Sequence, residues 1–123
     1  MTITKEWAKS FAAEWVDAWD AHDLLGVLSH YTNDFEMSSP FIAQFADEST
    51  GRLSGKERVR LYWQTALQRI PHLRFELVHV FPGASSVVLQ YRTNFGRLAA
   101  EVLFFDEQGL VYLAAAHYTD DPG

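Results

Sequence analysis

The stretch RLAAEVLFFDEQGLVYLAAAHY, residues 97–118, decides the fold of this chain. It contains two runs of mostly apolar residues, separated by the polar segment DEQG at residues 106–109. Short apolar runs bounded by turn residues are typical of buried β-strands, and a short connection makes neighbouring strands antiparallel. We therefore predict that the two runs form a β-hairpin.

The sequence before this hairpin extends the sheet. Residues 73–81, LRFELVHVF, and residues 86–94, SVVLQYRTN, show the two-residue period of strands. Because the connections between all four segments are short, we predict a four-stranded antiparallel meander. One more short strand is predicted over residues 34–40, which end at a proline. Residues 41–53 are predicted to form a loop.

A long helix is predicted at the N-terminus. Four aromatic residues spaced four apart form one apolar stripe over residues 4–21: Trp7, Phe11, Trp15 and Trp19. Thr4 is placed to cap this helix. A helix with such a stripe must be buried against the sheet, so the pattern predicts an α+β fold.

Two further helices are predicted between the first helix and the meander. Asp23 is placed to cap a short helix over residues 24–30. Ser54 and Glu57 have the spacing of a capping box, and Pro71 ends the helix that follows them.

Composition narrows the classes of function. The 123 residues suffice for one domain over residues 1–123, and the net charge of −6 with no basic run argues against a nucleic-acid partner. No stretch has the length of a membrane span and no signal peptide is apparent, so we expect no membrane partner and a cytoplasmic location. There is no cysteine, the five histidines lack metal-site spacing and no phosphate-binding glycine loop is present. We therefore expect neither a metal nor a cofactor.

Glu101 is the one charged residue in the segment AAEVLFF, residues 99–105. A carboxylate in an apolar strand is costly to ionise unless it is paired. A two-residue turn at Phe95 and Gly96 would place Gln90 opposite Glu101 and Arg92 diagonally beside it. Glu101 is then either the structural partner of Arg92 or an acid or base in a pocket.

His117 is the predicted partner of Glu101 in acid–base chemistry, because histidine titrates near neutral pH. A three-residue loop at residues 107–109, with Gly109 in the left-handed conformation, would place both side chains on one face. A four-residue loop would turn His117 to the other face, where it would lie at a surface or dimer interface.

Three segments carry a resemblance to a known family: WVDAWDAHDLLGVLSHYTNDFEMSSP (15–40), GRLSGKERVRLYW (51–63) and EVLFFDEQGLVYLAAAHY (101–118). In their order and spacing the chain resembles the nuclear transport factor 2-like superfamily, in the SnoaL-like branch. That branch is similar to polyketide cyclases and ketosteroid isomerases. The resemblance implies a cone, in which a long N-terminal helix and two further helices pack in a strongly curved, mainly antiparallel sheet around an apolar pocket.

The resemblance also assigns site positions. The general base of the ketosteroid isomerases falls on Ser39, which lacks proton-accepting power without a partner base. Their tyrosine donor falls on Trp15, and their protonated carboxylic acid, which is itself a standard example of a raised pKa, falls on Glu101. Candidate contacts with a small apolar ligand are Trp15, Ser39, Tyr62, Gln90, Arg92 and Tyr112.

Two functions remain open on these grounds. One is cofactor-free proton transfer on an apolar carbonyl-type substrate, as isomerisation, aldol-type cyclisation or dehydration, with Glu101 and His117 as acid and base. The other is a non-catalytic ligand-binding or dimerisation module. We expect a homodimer in either case, because the last two strands are apolar on both faces and a monomer would expose one of them.

Overall fold

The computed structural model describes residues 1–120 of the chain. Within these residues, six strands form one sheet in the spatial order β2-β1-β6-β5-β4-β3, with these bounds: β1 Tyr31–Ser38, β2 Arg52–Ser54, β3 Phe75–Pro82, β4 Ser86–Thr93, β5 Leu98–Phe105 and β6 Val111–Tyr118. The helices are α1 Lys5–Asp20, α2 Leu24–Leu28, α3 Ile42–Phe45 and α4 Lys56–Arg69. The long helix and the curved sheet match the predicted cone-shaped α+β fold.

The meander of β3 to β6 is antiparallel throughout, as predicted. β1 pairs antiparallel with β2 but parallel with β6. A long stretch of chain separates β1 from β6, so no short connection fixes their relative direction. The mainly antiparallel sheet is therefore confirmed, with one parallel pair.

The first helix follows its sequence pattern. The hydroxyl of Thr4 accepts a hydrogen bond from the backbone N–H of Trp7, which is the predicted cap. The apolar stripe is buried and consists of Ala8, Phe11, Ala12, Trp15 and Trp19. Because this stripe packs against β3 and its neighbours, α1 closes one side of the space inside the sheet.

The loop predicted over residues 41–53 contains regular structure. It forms the four-residue helix α3 and the start of β2. The predicted capping box also fails, because Ser54 is the last residue of β2 and pairs with Glu36. Gly55 is the N-cap of α4 instead, at φ +97°, a conformation that glycine adopts without strain.

The β4–β5 connection is one residue longer than predicted. The Thr93 N–H donates to the Arg97 carbonyl across a three-residue loop in which Gly96 takes φ +87°. Leu89 therefore lies opposite Glu101, and the neighbours of Leu89 along β4 point to the other face. The predicted positions of Gln90 and Arg92 beside Glu101 are thus wrong, and Arg92 is exposed on the outer face.

A β-bulge changes the register of β5 and β6. Of the two alternatives, the three-residue loop forms, with Gly109 at φ +81° and Phe105 opposite Val111. The register then shifts by one residue between Phe104 and Phe105, so that Tyr112 is the extra residue. This shift places Ala116 opposite Glu101 and turns His117 outward. The expectation that a three-residue loop would place His117 on the same face as Glu101 is therefore wrong.

None of the helices within residues 1–120 has the length and apolar character needed to cross a membrane.

Candidate functional site

A cavity of about 460 Å³ lies between α1, α4 and the inner face of the sheet. This volume falls in the usual range for sites that bind small molecules. Half of its lining residues are tryptophan, tyrosine or phenylalanine, including Trp15, Trp19, Tyr62, Trp63, Phe75 and Tyr91. The cavity is therefore suited to a small molecule with an apolar body.

Glu101 projects from β5 into this cavity and is only 3% exposed. Its partners across the sheet are Leu89 and Ala116, and the small side chain of Ala116 leaves room beside the carboxyl group. The Tyr91 hydroxyl donates a hydrogen bond to Oε1 of Glu101 at 3.1 Å. Tyr91 lies diagonally across from Glu101 on the same face, because Tyr91 pairs with Ala99.

No arginine, lysine or histidine among residues 1–120 forms an ion pair with Glu101. Burial raises the pKa of Glu101 from its ordinary value to about 7, and the hydrogen bond from Tyr91 opposes that rise only in part. A carboxyl group with a pKa near neutral can exist in both protonation states at physiological pH. It is therefore able to accept or to donate a proton.

Four tyrosines lie around this carboxyl group: Tyr31, Tyr62 and Tyr91, which are buried, and Tyr118, which is half-buried. Burial raises the pKa of each phenol, to about 12 for Tyr62, and the negative charge of Glu101 contributes in every case. All four hydroxyls consequently stay protonated near neutral pH, and those of Tyr62 and Tyr91 donate to Ser39 and Glu101.

The Trp15 side chain lies at the base of this cluster. Its Nε1–H donates a hydrogen bond to the Tyr31 hydroxyl at 3.0 Å. Its ring stacks on Phe75 with the centroids 5.6 Å apart and packs at a tilt against Tyr91 at 5.5 Å. Trp15 therefore lines the cavity and holds two of its other aromatic rings in place.

Ser39 is buried beside the cluster at the end of β1. Its Oγ accepts hydrogen bonds from the Tyr62 hydroxyl at 3.3 Å and from the Phe41 backbone N–H at 3.2 Å. Hydrogen bonding to Ser39 and Tyr91 also lowers the pKa of Tyr118, against the larger effect of burial. Ser39 is thus a link in a hydroxyl network.

The structure brings together some of the residues predicted for the site and separates the others. Glu101, Trp15, Tyr62 and Ser39 lie in one cluster. Four predicted residues point away from the cavity because of the three-residue β4–β5 loop and the bulge in β6: Gln90, Arg92, Tyr112 and His117. Tyr112 is 45% exposed at the bulge.

The sequence analysis missed Tyr118, Tyr31 and Arg97, all of which lie in or beside the cavity. Tyr118 follows His117 directly, and successive residues of a strand point to opposite faces. The register shift that turns His117 outward therefore brings Tyr118 inward. The bulge that produces this shift has no sequence signal that we can identify.

The mouth of the cavity is formed by the α4–β3 connection and the β4–β5 loop, where Phe95 is 66% exposed. Three side chains hold the backbone of residues 72–75. Asp20 accepts from the Phe75 N–H at 2.8 Å, and a ring nitrogen of His22 lies 2.8 Å from the Leu73 carbonyl oxygen. Asn94 accepts from the Arg74 N–H at 2.9 Å and donates to the His72 carbonyl at 2.7 Å. The Asn94 contacts join the two rims of the mouth, and those of Asp20 and His22 hold the α4–β3 connection to the end of α1.

Within residues 1–120, no group of three or more histidine, aspartate or glutamate side chains is arranged to hold a metal ion.

Sequence comparison identifies the family. The model of the SnoaL-like domain family matches residues 12–119, nearly the whole chain. The chain belongs to this family, as its segments suggested. Among functionally curated proteins, none is significantly similar to it in sequence.

Solved structures agree with this assignment. A SnoaL-like protein of unknown function from Burkholderia thailandensis E264 is 50% identical, with a TM-score of 0.92 over 98% of this chain and 100% of that one. A protein of Agrobacterium tumefaciens strain C58, provisionally described as an isomerase of the SnoaL-like family, has 13% identity and a TM-score of 0.72 over 92% of this chain and 97% of that one. An NTF2-like protein of unknown function from Cytophaga hutchinsonii ATCC 33406 has 14% identity and a TM-score of 0.69 over 96% and 92%. The last two similarities show the fold alone.

Proposed function

We propose that this protein catalyses cofactor-free proton transfer on a small apolar carbonyl compound, with Glu101 as the acid and base. The observation that carries the proposal is the state of Glu101: a buried carboxyl group in an aromatic cavity, without a cationic partner among the described residues and with its pKa raised to about 7. Isomerisation, aldol-type cyclisation and dehydration all require such a group.

The proposed step is the removal of a proton from the carbon next to the carbonyl group. The ionised Glu101 accepts the proton as the C–H bond breaks, and the electron pair moves into a carbon–carbon double bond with negative charge on the carbonyl oxygen. The Tyr118 hydroxyl, which lines the cavity and stays protonated, donates to that oxygen. Glu101 then returns the proton to the same carbon or to another one, so that a single group performs both transfers.

His117 has no part in this mechanism, because it lies on the outer face of the sheet. Ser39 orients Tyr62 through the hydrogen bond between their hydroxyls and does not act as a base. The resemblance to ketosteroid isomerases therefore extends to the buried acid and the pocket, while the separate base of those enzymes has no counterpart at Ser39.

The test is deuterium exchange at the carbon next to the carbonyl group of 2-tetralone, a bicyclic aromatic ketone, followed by NMR in D₂O. We expect the protein to accelerate exchange over buffer. The rate should rise with pH through about 7, since only the ionised Glu101 accepts a proton. An exchange rate equal to that of buffer while 2-tetralone binds, as judged by tryptophan fluorescence, would contradict the proposed chemistry.

A non-catalytic ligand-binding module is the alternative. It is favoured by one observation, that Glu101 is the only acidic side chain among the cavity-lining residues of the described chain. The described cavity lining therefore lacks the second carboxylate that some proton-transfer reactions need. Binding of 2-tetralone without exchange at any pH from 5 to 9 is the result that this alternative predicts.

We also propose a homodimer through the outer face of β4, β5 and β6. Apolar side chains on that face are only half-buried in the single chain, among them Val88, Val102, Phe104 and Leu113. Pairing two such faces about a twofold axis would remove them from water. We expect sedimentation at micromolar concentration to give twice the 14.0 kDa mass of the chain, and Phe104→Lys to give the monomer. A wild-type monomer would contradict the proposal.

A further inference from the structure

We propose that the natural ligand is an organic acid, with an apolar body in the cavity and a carboxylate bound by Arg97 at the mouth. This inference deepens the proposed function and rests on it in one respect, namely that the cavity takes a small apolar molecule whose reacting end lies near Glu101. It names the chemical class of that molecule.

The guanidinium group of Arg97 is held in place by aromatic rings. Its central carbon lies 4.9 Å from the centroid of the Phe41 ring and 5.9 Å from that of Tyr118. These two rings meet edge to face at 4.9 Å. A cation over such faces is attracted by the ring quadrupoles, so the group is positioned before any ligand binds.

The hydrogen-bonding capacity of Arg97 is largely unused. Nη1 is buried and has no hydrogen-bond partner among the described residues. Nη2 has one contact, with Oδ2 of Asp120 at 3.5 Å, and the Asp120 side chain is 59% exposed. A single long contact with a solvated carboxylate contributes little, whereas a guanidinium group can bind a carboxylate through two parallel hydrogen bonds. The Arg97 side chain is 27% exposed, so a ligand carboxylate can replace the solvated Asp120 as its partner.

The charges around the cavity favour an anion at this end. Arg69 and His72 line the cavity together with Arg97, while Glu101 is the only acidic lining residue among residues 1–120. The chain as a whole carries a net charge of −6, whereas two arginines, Arg69 and Arg97, line this cavity. Local positive charge at a mouth attracts anionic ligands even when the whole molecule is acidic.

Tyr118 connects the two ends of the site. Its ring lies beside the Arg97 guanidinium, and its hydroxyl interacts with Tyr91, the residue that donates to Glu101. A ligand anchored by its carboxylate at Arg97 can thus extend along Tyr118 and present a carbon atom to Glu101. The cavity would position such a ligand by its two ends, which favours reaction at one carbon over its neighbours.

Binding of two matched probes tests this inference. 2-Naphthoate and 2-naphthamide have the same ring system and similar shape, and they differ in charge. At pH 6, measured by isothermal calorimetry, we expect the carboxylate to bind about tenfold more tightly or better, the factor expected for a charge-assisted hydrogen bond. Arg97→Gln should abolish this preference. Arg97→Lys should keep part of it, since lysine retains the charge but lacks the two parallel N–H donors of a guanidinium group.

Arg92→Gln is the matched control, because it removes one positive charge from the neighbouring strand on the outer face. It should leave the preference unchanged. Asp120→Asn should strengthen binding of the carboxylate several-fold, since it removes the competing partner. Equal affinity of the two probes for the wild type, or a preference that survives Arg97→Gln in a variant that still melts cooperatively, would overturn the inference.

The outcomes separate this inference from the proposed chemistry. Glu101→Gln should keep the carboxylate preference, because the two side chains are assigned to different ends of the cavity. A carboxylate preference without proton exchange on any ketone would overturn the chemistry alone. Proton exchange without a carboxylate preference would overturn the inference alone, and failure of both probes to bind at millimolar concentration would overturn the inference together with the apolar pocket.

Discussion

Replacing Glu101 by glutamine is expected to lower the rate of proton exchange on 2-tetralone by about 10²- to 10⁴-fold, the range for a positioned acid or base. Glutamine has nearly the shape of the protonated side chain and can still accept the hydrogen bond from Tyr91. It cannot accept a proton, so the pH dependence through about 7 should disappear with the activity. Glu76→Gln is the matched control. Glu76 is exposed on β3, so this change should leave the exchange rate and its pH dependence unaltered.

The same variant should change stability in a way that depends on pH. The pKa of Glu101 is raised in the folded protein from 4.5 to about 7, so the native state holds a proton that the unfolded state has already lost between these values. Stability therefore falls as pH rises from 4.5 to 7, by about 3 kcal/mol at about 1.36 kcal/mol per pKa unit. Below 4.5 both states are protonated and the penalty is absent.

Glutamine removes this titration. Urea unfolding of both proteins from pH 4 to 8 should show the stability of Glu101→Gln rising relative to wild type by up to about 3 kcal/mol towards pH 8. A buried Glu101 held ionised by a cation would give the opposite sign, because glutamine would then strand that cation at a cost of about 3 kcal/mol or more. A loss of stability in Glu101→Gln at pH 8 would therefore remove the basis for the proposed catalytic residue.

Replacing Trp15 by alanine is expected to cost about 3–5 kcal/mol of unfolding free energy, the usual range for deletion of a large buried ring. Trp15 is 1% exposed and packs against Trp19, Phe75 and Tyr91, all of which would face an empty volume after the change. The Tyr31 hydroxyl would also lose its donor in a buried site. Because Tyr91 is the hydrogen-bond partner of Glu101, proton exchange should fall as well.

Trp15→Phe separates the two contributions. It keeps most of the ring volume and loses Nε1, so it should cost much less than alanine, about 1–3 kcal/mol for the unpaired Tyr31 hydroxyl and the smaller ring. Equilibrium unfolding in urea measures both variants. A cost below about 1 kcal/mol for Trp15→Ala would show that the ring is not part of a packed core and would contradict the cavity lining described above.

The α+β fold followed from local patterns in the sequence. The four-residue spacing of the aromatic stripe determines which face of α1 is buried, and Thr4 caps that helix as its side chain predicts. The two-residue period and the short connections determine the antiparallel meander from β3 to β6. These signals are local, since each depends on residues within one element or one turn. The apolar surroundings of Glu101 likewise predicted its burial.

Which residues belong to the site was decided by the tertiary structure. The β4–β5 loop has three residues instead of the predicted two, which turns Arg92 and Gln90 to the outer face. The bulge at Tyr112 turns His117 outward and Tyr118 inward. The physical reason is the period of a strand: a shift by one residue moves every later side chain to the opposite face. Such a shift leaves the fold class unchanged, because the shifted segment is still a β-strand in the same sheet. The composition of the site changes with such a shift, because it depends on loop lengths and bulges that the packed sheet selects.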